Sequence, residues 1–270
     1  MKRNVVGLVA LALFATLAQA EDYSSPTEDR VRLSLGVVRY SNKTDIQINS
    51  RADVAGTPVN AEDQFGLDKS DYEAKIQAMV RVGERHRLRF DYFSLDRSGQ
   101  ATVTQPIVFR DVVLQPGDPL NADLSIRTFG ITYGYSFLHS DRYEVAATIG
   151  INDTDISARA RVQTQTQTRH VDQTEDQAGP FPTLGLDASY VVSKRFYLDG
   201  RAQYFKVHID NIDGSLGMYE LDALYRLRAN VSFALGYNYL RAHLASTQTR
   251  QSGLFNFNSR GPEIFLRVAF

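Results

Sequence analysis

The chain has 270 residues, 43% of them hydrophobic, with no cysteine and with 30 Lys and Arg against 31 Asp and Glu. That length suits one large β domain. The missing cysteines exclude a disulfide framework, and the balanced charge excludes the basic footprint of a nucleic-acid binder.

Residues 1–20 have the three parts of a secretory signal. Lys2 and Arg3 make the positive start, Val5 to Leu17 the apolar stretch, and Ala18-Gln19-Ala20 a cleavage site before Glu21. The apolar stretch is shorter than the roughly 20 residues that cross a bilayer as a helix. The expectation is a cleaved signal peptide over 1–20 and one domain over 21–270. After the signal no apolar run reaches 18 residues, so a membrane-spanning chain would have to close into a barrel, the only other fold that satisfies its backbone in lipid.

From residue 31 onward the dominant pattern is period 2. Val31, Leu33, Leu35 and Val37 alternate with Arg32, Ser34 and Gly36. Tyr72 to Val80 and Leu88 to Tyr92 alternate with Glu73, Lys75, Gln77, Met79, Arg81, Arg87, Arg89 and Asp91. Phe129 to Phe137 leave Thr128, Gly130, Thr132, Gly134 and Ser136 on the other face, and Tyr143 to Ile151 leave Glu144, Thr148 and Asn152. Further on, Leu184 to Val192 oppose Asp187 and Ser189, and Leu198 and Tyr204 oppose Asp199, Arg201 and Gln203. Tyr219 to Leu227 oppose Glu220, Asp222, Arg226 and Arg228, and Val231 to Tyr239 alternate with small or polar residues.

Short polar turns at 83–86, 139–142, 193–195 and 228–230 alternate with longer connections at 41–71, 99–122, 159–180 and 247–260 and a tighter one at 210–214. This predicts an all-β, antiparallel, up-and-down transmembrane β-barrel of about ten strands, with eight or twelve as alternatives. Residues 103–114 could add a hairpin around Arg110-Asp111, and 44–50 could extend the first strand. The polar stretch 163–177 reads as a surface loop.

The last strand, Gly261 to Phe270, alternates and ends on an aromatic residue. Together with the export segment it resembles the Gram-negative outer-membrane β-barrels, in particular the small OmpA-like and OmpW-like barrels. The resemblance implies an outer-membrane location and a C-terminal assembly signal at Phe270. It also implies the partners: outer-membrane lipid, and periplasmic chaperones and the barrel-assembly machinery during biogenesis.

With the polar faces turned inward, the lumen would hold Arg32, Lys75, Arg81, Arg87, Arg89, Arg201, Arg226, Arg228 and Arg267 against Glu73, Asp91, Glu144, Asp187, Asp199, Glu220, Asp222 and Glu263. Near-equal numbers in a narrow barrel favour pairing, because a lone buried ion is costly. The expectation is a salt-bridged plug, with a narrow polar pore as the alternative. Gly130, Gly134, Ala234 and Gly236 are small inward residues that could leave a gap for a small solute.

Enzymatic alternatives rest on thinner patterns. Asp153, Asp155, His208 and Asp210 resemble the acidic pair and Asp/His pair of the omptin barrel proteases, although they fall on the outward phase. His243 and Ser246, three apart, fall on opposite faces, which counts against a barrel lipase. His86 and His139 read as solvated turn residues, and His170 with Asp172 as a weak metal pair. Phe65, Leu67, Phe255 and Phe257 sit in outer connections, where they either pack the loops together or mark a partner surface. The expected role is non-enzymatic, without cofactor or metal: envelope structure or narrow passive transport. A surface hydrolase and a loop-based adhesin or receptor are the alternatives.

Overall fold

A computed structural model describes residues 25–49, 55–109, 112–162, 173–209, 211–247 and 252–270. The expected export segment lies outside them, as do Arg110, Asp111, His170, Asp172 and Asp210.

The strands are β1 (Val31–Ile48), β2 (Val59–Asn60), β3 (Ser70–Val82), β4 (His86–Thr102), β5 (Ile107–Phe109), β6 (Val112–Leu114), β7 (Pro119–His139), β8 (Tyr143–Val162), β9 (Gln173–Val191), β10 (Phe196–Ile209), β11 (Ile212–Arg228), β12 (Val231–Ser246) and β13 (Gly253–Ala269). One helical turn, α1, covers Ala61–Gln64. Ten strands make the wall. β1 pairs with β3, then β4 and β7 to β13 follow in order, and β13 pairs back onto β1. All pairs are antiparallel, and Leu35 faces both Ile76 and Leu266 across the closure. Neither eight nor twelve strands form. β5 and β6 are a separate two-stranded hairpin, and the 44–50 stretch prolongs β1.

Paired residues followed once around the wall, from Phe196 through Leu35 and Phe129 to Pro180, return displaced by about 12 residues along β9 and β10, which sets a strand tilt of about 40°. At that tilt the outward run Tyr143 to Ile151 rises roughly 20–25 Å, the height of a barrel's apolar band. Tyr143, Ile149 and Ile151 of this run and their equivalents on other strands (Leu35, Ile131, Leu186, Leu221, Leu235) are exposed large apolar side chains on the outside of a closed cylinder. Tyrosines and phenylalanines rim the band at both ends: Tyr72, Tyr92, Phe129, Tyr204 and Tyr219 at one, Tyr135, Phe137, Tyr143, Tyr190 and Phe270 at the other. An apolar outside with no open sheet edge belongs in a bilayer. The short turns mark the periplasmic end of such a barrel.

Beyond the band, the strands continue where the sequence suggested long loops, and their polarity inverts. On β7 the outward side chains change from Phe129 to Arg127, Ser125 and Asp123, while the inward ones become Ile126, Leu124, Ala122 and Leu120. These join Phe65, Leu67, Leu95, Val103, Ile107, Leu114 and Phe257 in one buried apolar core inside the outer end of the barrel. Phe255 and Phe257 stack with centroids 6.3 Å apart, so the aromatics of the outer connections pack the interior. Above the end of β3 the segment 59–68 takes its place. β2 pairs with Asp45 and Ile46 of β1, and Leu67 bridges to Gly99 of β4. A Cβ on Gly99 would stand 2.4 Å from the Gly66 carbonyl carbon, so this backbone approach requires glycine.

Candidate functional site: the ion-paired lumen

Inside the apolar band the inward side chains are polar, and strands several positions apart meet across the narrow bore. The most buried acid is Glu144 on β8. Arg81 on β3 donates to both its carboxylate oxygens, Nη1 to Oε1 at 2.7 Å and Nη2 to Oε2 at 2.9 Å. Arg87 on β4 donates to Oε2 at 3.1 Å, and the Ser136 hydroxyl donates to Oε1. His139 lies 3.6 Å from the same carboxylate and is only partly exposed, so it is not a solvated turn residue. His86 is exposed and shares a 2.7 Å hydrogen bond with the Tyr133 hydroxyl.

A second group surrounds Arg201 of β10. It reaches Glu220 at 3.0 Å, Asp91 at 3.6 Å and Asp187 at 3.7 Å, while Arg89 binds Asp91 at 2.9 Å and also pairs with Asp187. Lys75 of β3 donates to Glu220 at 2.6 Å and to both oxygens of Glu263 at 2.8 Å, and its ammonium sits 4.4 Å from the centre of the Phe265 ring. Glu220, Asp222 and Glu263 form one carboxylate cluster, with oxygens within 4.8 Å of one another. Nearer the short turns Arg267 pairs with Asp199 and donates to Ser34 at 3.1 Å, and Arg226 lies over Tyr197. Tyr197, Leu224, Ala234 and Phe265 make a small apolar cluster at this level.

Three inward candidates stand outside these groups, among them Arg32, which pairs with Asp29 at 3.2 Å. Arg228 is exposed, because the register of β11 against β12 shifts between Arg226 and Arg228 as the strand enters its turn. Glu73 is half-buried near the outer end of the bore and makes no ion pair among the described residues.

The space beside the small inward glycines is occupied by neighbouring polar side chains. A Cβ on Gly236 would lie 1.9 Å from Asp222 Oδ1 and 2.7 Å from Glu263 Oε1, so glycine makes room for the two carboxylates. A Cβ on Gly130 would lie 2.5 Å from Asn152 Oδ1, and one on Gly134 would lie 3.4 Å from Thr148 and 3.7 Å from Arg87. One cavity, of about 50 Å³, lies between Arg32, Arg87, Arg89, Asp187, Asp199 and Arg201, room for a few waters. Gly236→Ala is therefore expected to displace one carboxylate from the Lys75 group and destabilise the barrel by about 1–3 kcal/mol, the scale of an overpacked interior site. A urea-unfolding midpoint equal to wild type would contradict the close fit.

Both ends of the bore are also filled. At the short-turn end a single 3-10 turn over Pro26–Glu28 crosses the mouth. The Thr27 hydroxyl, fully buried, donates to the Ser140 carbonyl at 2.8 Å on the β7–β8 turn, and Arg81 Nε donates to the Asp29 carbonyl at 3.1 Å. Burial pushes the Asp29 carboxyl above the usual carboxylate range, opposed by Arg32 beside it. At the outer end Arg97 of β4 donates to Glu62 of α1 at 2.7 Å and to the Thr44 hydroxyl at 3.0 Å, inside the apolar core. The inward parity of Arg87, Arg89 and Asp91 extends to Arg97 and could have flagged it. Glu62 and Asp29 lie outside any alternating run. At the C-terminus Phe270 points outward, and its backbone N–H donates to the Val31 carbonyl at 2.9 Å, locking the closing pair.

Among the described residues, no hydrolase candidate forms an ion pair or hydrogen bond with another, and Asp210 lies outside them. Asp153 and Asp155 are exposed and outward on β8. His208 is exposed on β10, beyond the intervening β9, and pairs with Asp213 at 3.3 Å across its own hairpin. His243 Nδ1 donates to Asn256 Oδ1 at 2.6 Å on the outer surface.

No protein-family model matches the chain, and no curated protein is similar to it in sequence. Among solved structures, the outer membrane protease OmpT from Escherichia coli aligns over 93% of this chain and 99% of its own, with TM-score 0.58 and 14% identity. The transport unit of the autotransporter AIDA-I from Escherichia coli aligns over 100% of both chains, with TM-score 0.47 and 8% identity. The outer membrane protein OprG from Pseudomonas aeruginosa aligns over 92% of this chain and 99% of its own, with TM-score 0.36 and 9% identity. At 14% identity the likeness to OmpT is one of fold, and it agrees with the closed wall and apolar band: the chain folds as a closed, ten-stranded antiparallel β-barrel of the transmembrane kind.

Proposed function

We propose that this barrel is a structural component of the outer membrane that stays closed to solutes. The observation that carries the reading is the lumen itself. Ion pairs from facing walls meet across the bore at the level of the apolar band, and the cavity between them measures about 50 Å³. An open porin needs a continuous aqueous path, and a wider barrel to provide it. The reading is non-enzymatic, in keeping with the separation of Asp153 and Asp155 from His208. On this view the partners are bilayer lipid and, during insertion, the chaperones and assembly machinery that recognise the Phe270 strand.

Planar-bilayer recording on refolded protein tests it. Incorporation should give no stable current steps above baseline across both polarities. Reproducible unitary steps would overturn closure and favour the narrow-passage alternative.

A further inference from the structure

The outside of the barrel is electrically two-faced just beyond the apolar band. On β10, β12, β13 and β1 an outward position level with the outer aromatic rim or just past it carries a cation, while on β11 the position two past Tyr219 is Gly217. Lys206 follows Tyr204 by two residues on β10, and Arg241 follows Tyr239 by two on β12. Arg260 of β13 is paired in register with Tyr239, and Arg39 of β1 with Tyr72, over whose ring it lies at 5.9 Å. All four are exposed, and none has an acid within salt-bridge distance among the described residues. The opposite wall differs. Past the same rim it carries Asp96 on β4, Arg127 on β7 opposite Asp155, and Asp153 on β8.

Exposed cations on a barrel wall cost little in water, so the cluster needs no internal explanation. Its height does. Side chains at an aromatic rim or one position beyond it lie level with lipid headgroups. Arginine and lysine at that height meet phosphate oxygens, to which guanidinium groups donate in charge-assisted pairs. We propose that the β10–β13 and β1 face holds phosphorylated lipid headgroups of the outer leaflet, with Arg39, Lys206, Arg241 and Arg260 as the phosphate contacts. The occupant is lipid rather than free phosphate, because the cations sit directly above an apolar wall that acyl chains cover. The proposal rests on the membrane placement and not on whether the lumen conducts.

The test uses the refolded mature chain in dodecyl maltoside micelles containing equal amounts of phosphatidic acid and phosphatidylcholine. Lipid co-purifying with the protein is then quantified. Wild type should be enriched in phosphatidic acid by about fivefold or more, the scale of one charge-assisted contact. The enrichment should fall toward parity at high salt. The triple variant Lys206→Gln, Arg241→Gln, Arg260→Gln should lose it, while Arg127→Gln with Arg159→Gln on the other wall should keep it. Unheated gel mobility identifies folded protein in each case. No enrichment in wild type overturns the proposal. So does equal loss in both variant sets, or complete displacement by millimolar inorganic phosphate, which would make the face a free-phosphate site. If the triple variant does not fold, the wild-type enrichment and its salt dependence still decide.

Discussion

Glu144→Ala is expected to be the most damaging lumen substitution, costing about 3–5 kcal/mol, because Arg81 loses its carboxylate partner and Arg87 keeps only Asp187 at 3.8 Å. The Glu144 carboxylate accepts from Arg81 twice, from Arg87 once and from Ser136, and its side chain is fully buried. Without it two guanidiniums on neighbouring strands face each other in a bore too tight for full hydration. Glu144→Gln keeps the shape and one acceptor, and should fall between the two. Urea unfolding of refolded protein in detergent micelles, followed by the shift of the folded gel band, measures the order. An alanine variant within about 0.5 kcal/mol of wild type would mean that the pairs are screened as surface ion pairs are.

Leu235→Arg should be nearly as severe, but through lipid. Leu235 points outward near the middle of the band, between Phe233 and Tyr237 on its own strand and beside Ala223 and Ile264 on its neighbours. A charge at that depth costs about 2–4 kcal/mol. Asn238→Arg places the same charge on the inward face, next to Glu220 in register, where acids are at hand, and should be milder. The comparison is read from the folded fraction after insertion into vesicles. Equal losses would contradict the assigned faces.

The wall was legible from sequence wherever lipid lies on one side and a polar bore on the other. There a period of 2 is clean, as in Phe129 to Phe137, and every outward side chain of that run is exposed and apolar. Legibility failed above the membrane. Between Ile126 and Phe129 the apolar face changes sides, since water replaces lipid outside and a packed core replaces the polar bore within. A reader following one apolar face therefore sees the strand end and a loop begin. Arg228 was misplaced because a register shift at a turn is invisible to parity. The lumen pairs were beyond sequence for another reason. Whether Arg81 meets Glu144 depends on the strand offset around the whole cylinder, and that is a global property. The Pro26–Glu28 turn has no periodic signature at all.

That turn changes what a leak would require. The bore is obstructed at three separate heights: by the 3-10 turn under the periplasmic mouth, by the ion pairs in the middle, and by the Arg97–Glu62 tie within the apolar core outside. Independent barriers in series multiply their open probabilities, so a genetic lesion that opens one leaves permeability set by the other two. Loss of any single obstruction should weaken the protein long before it makes the envelope permeable.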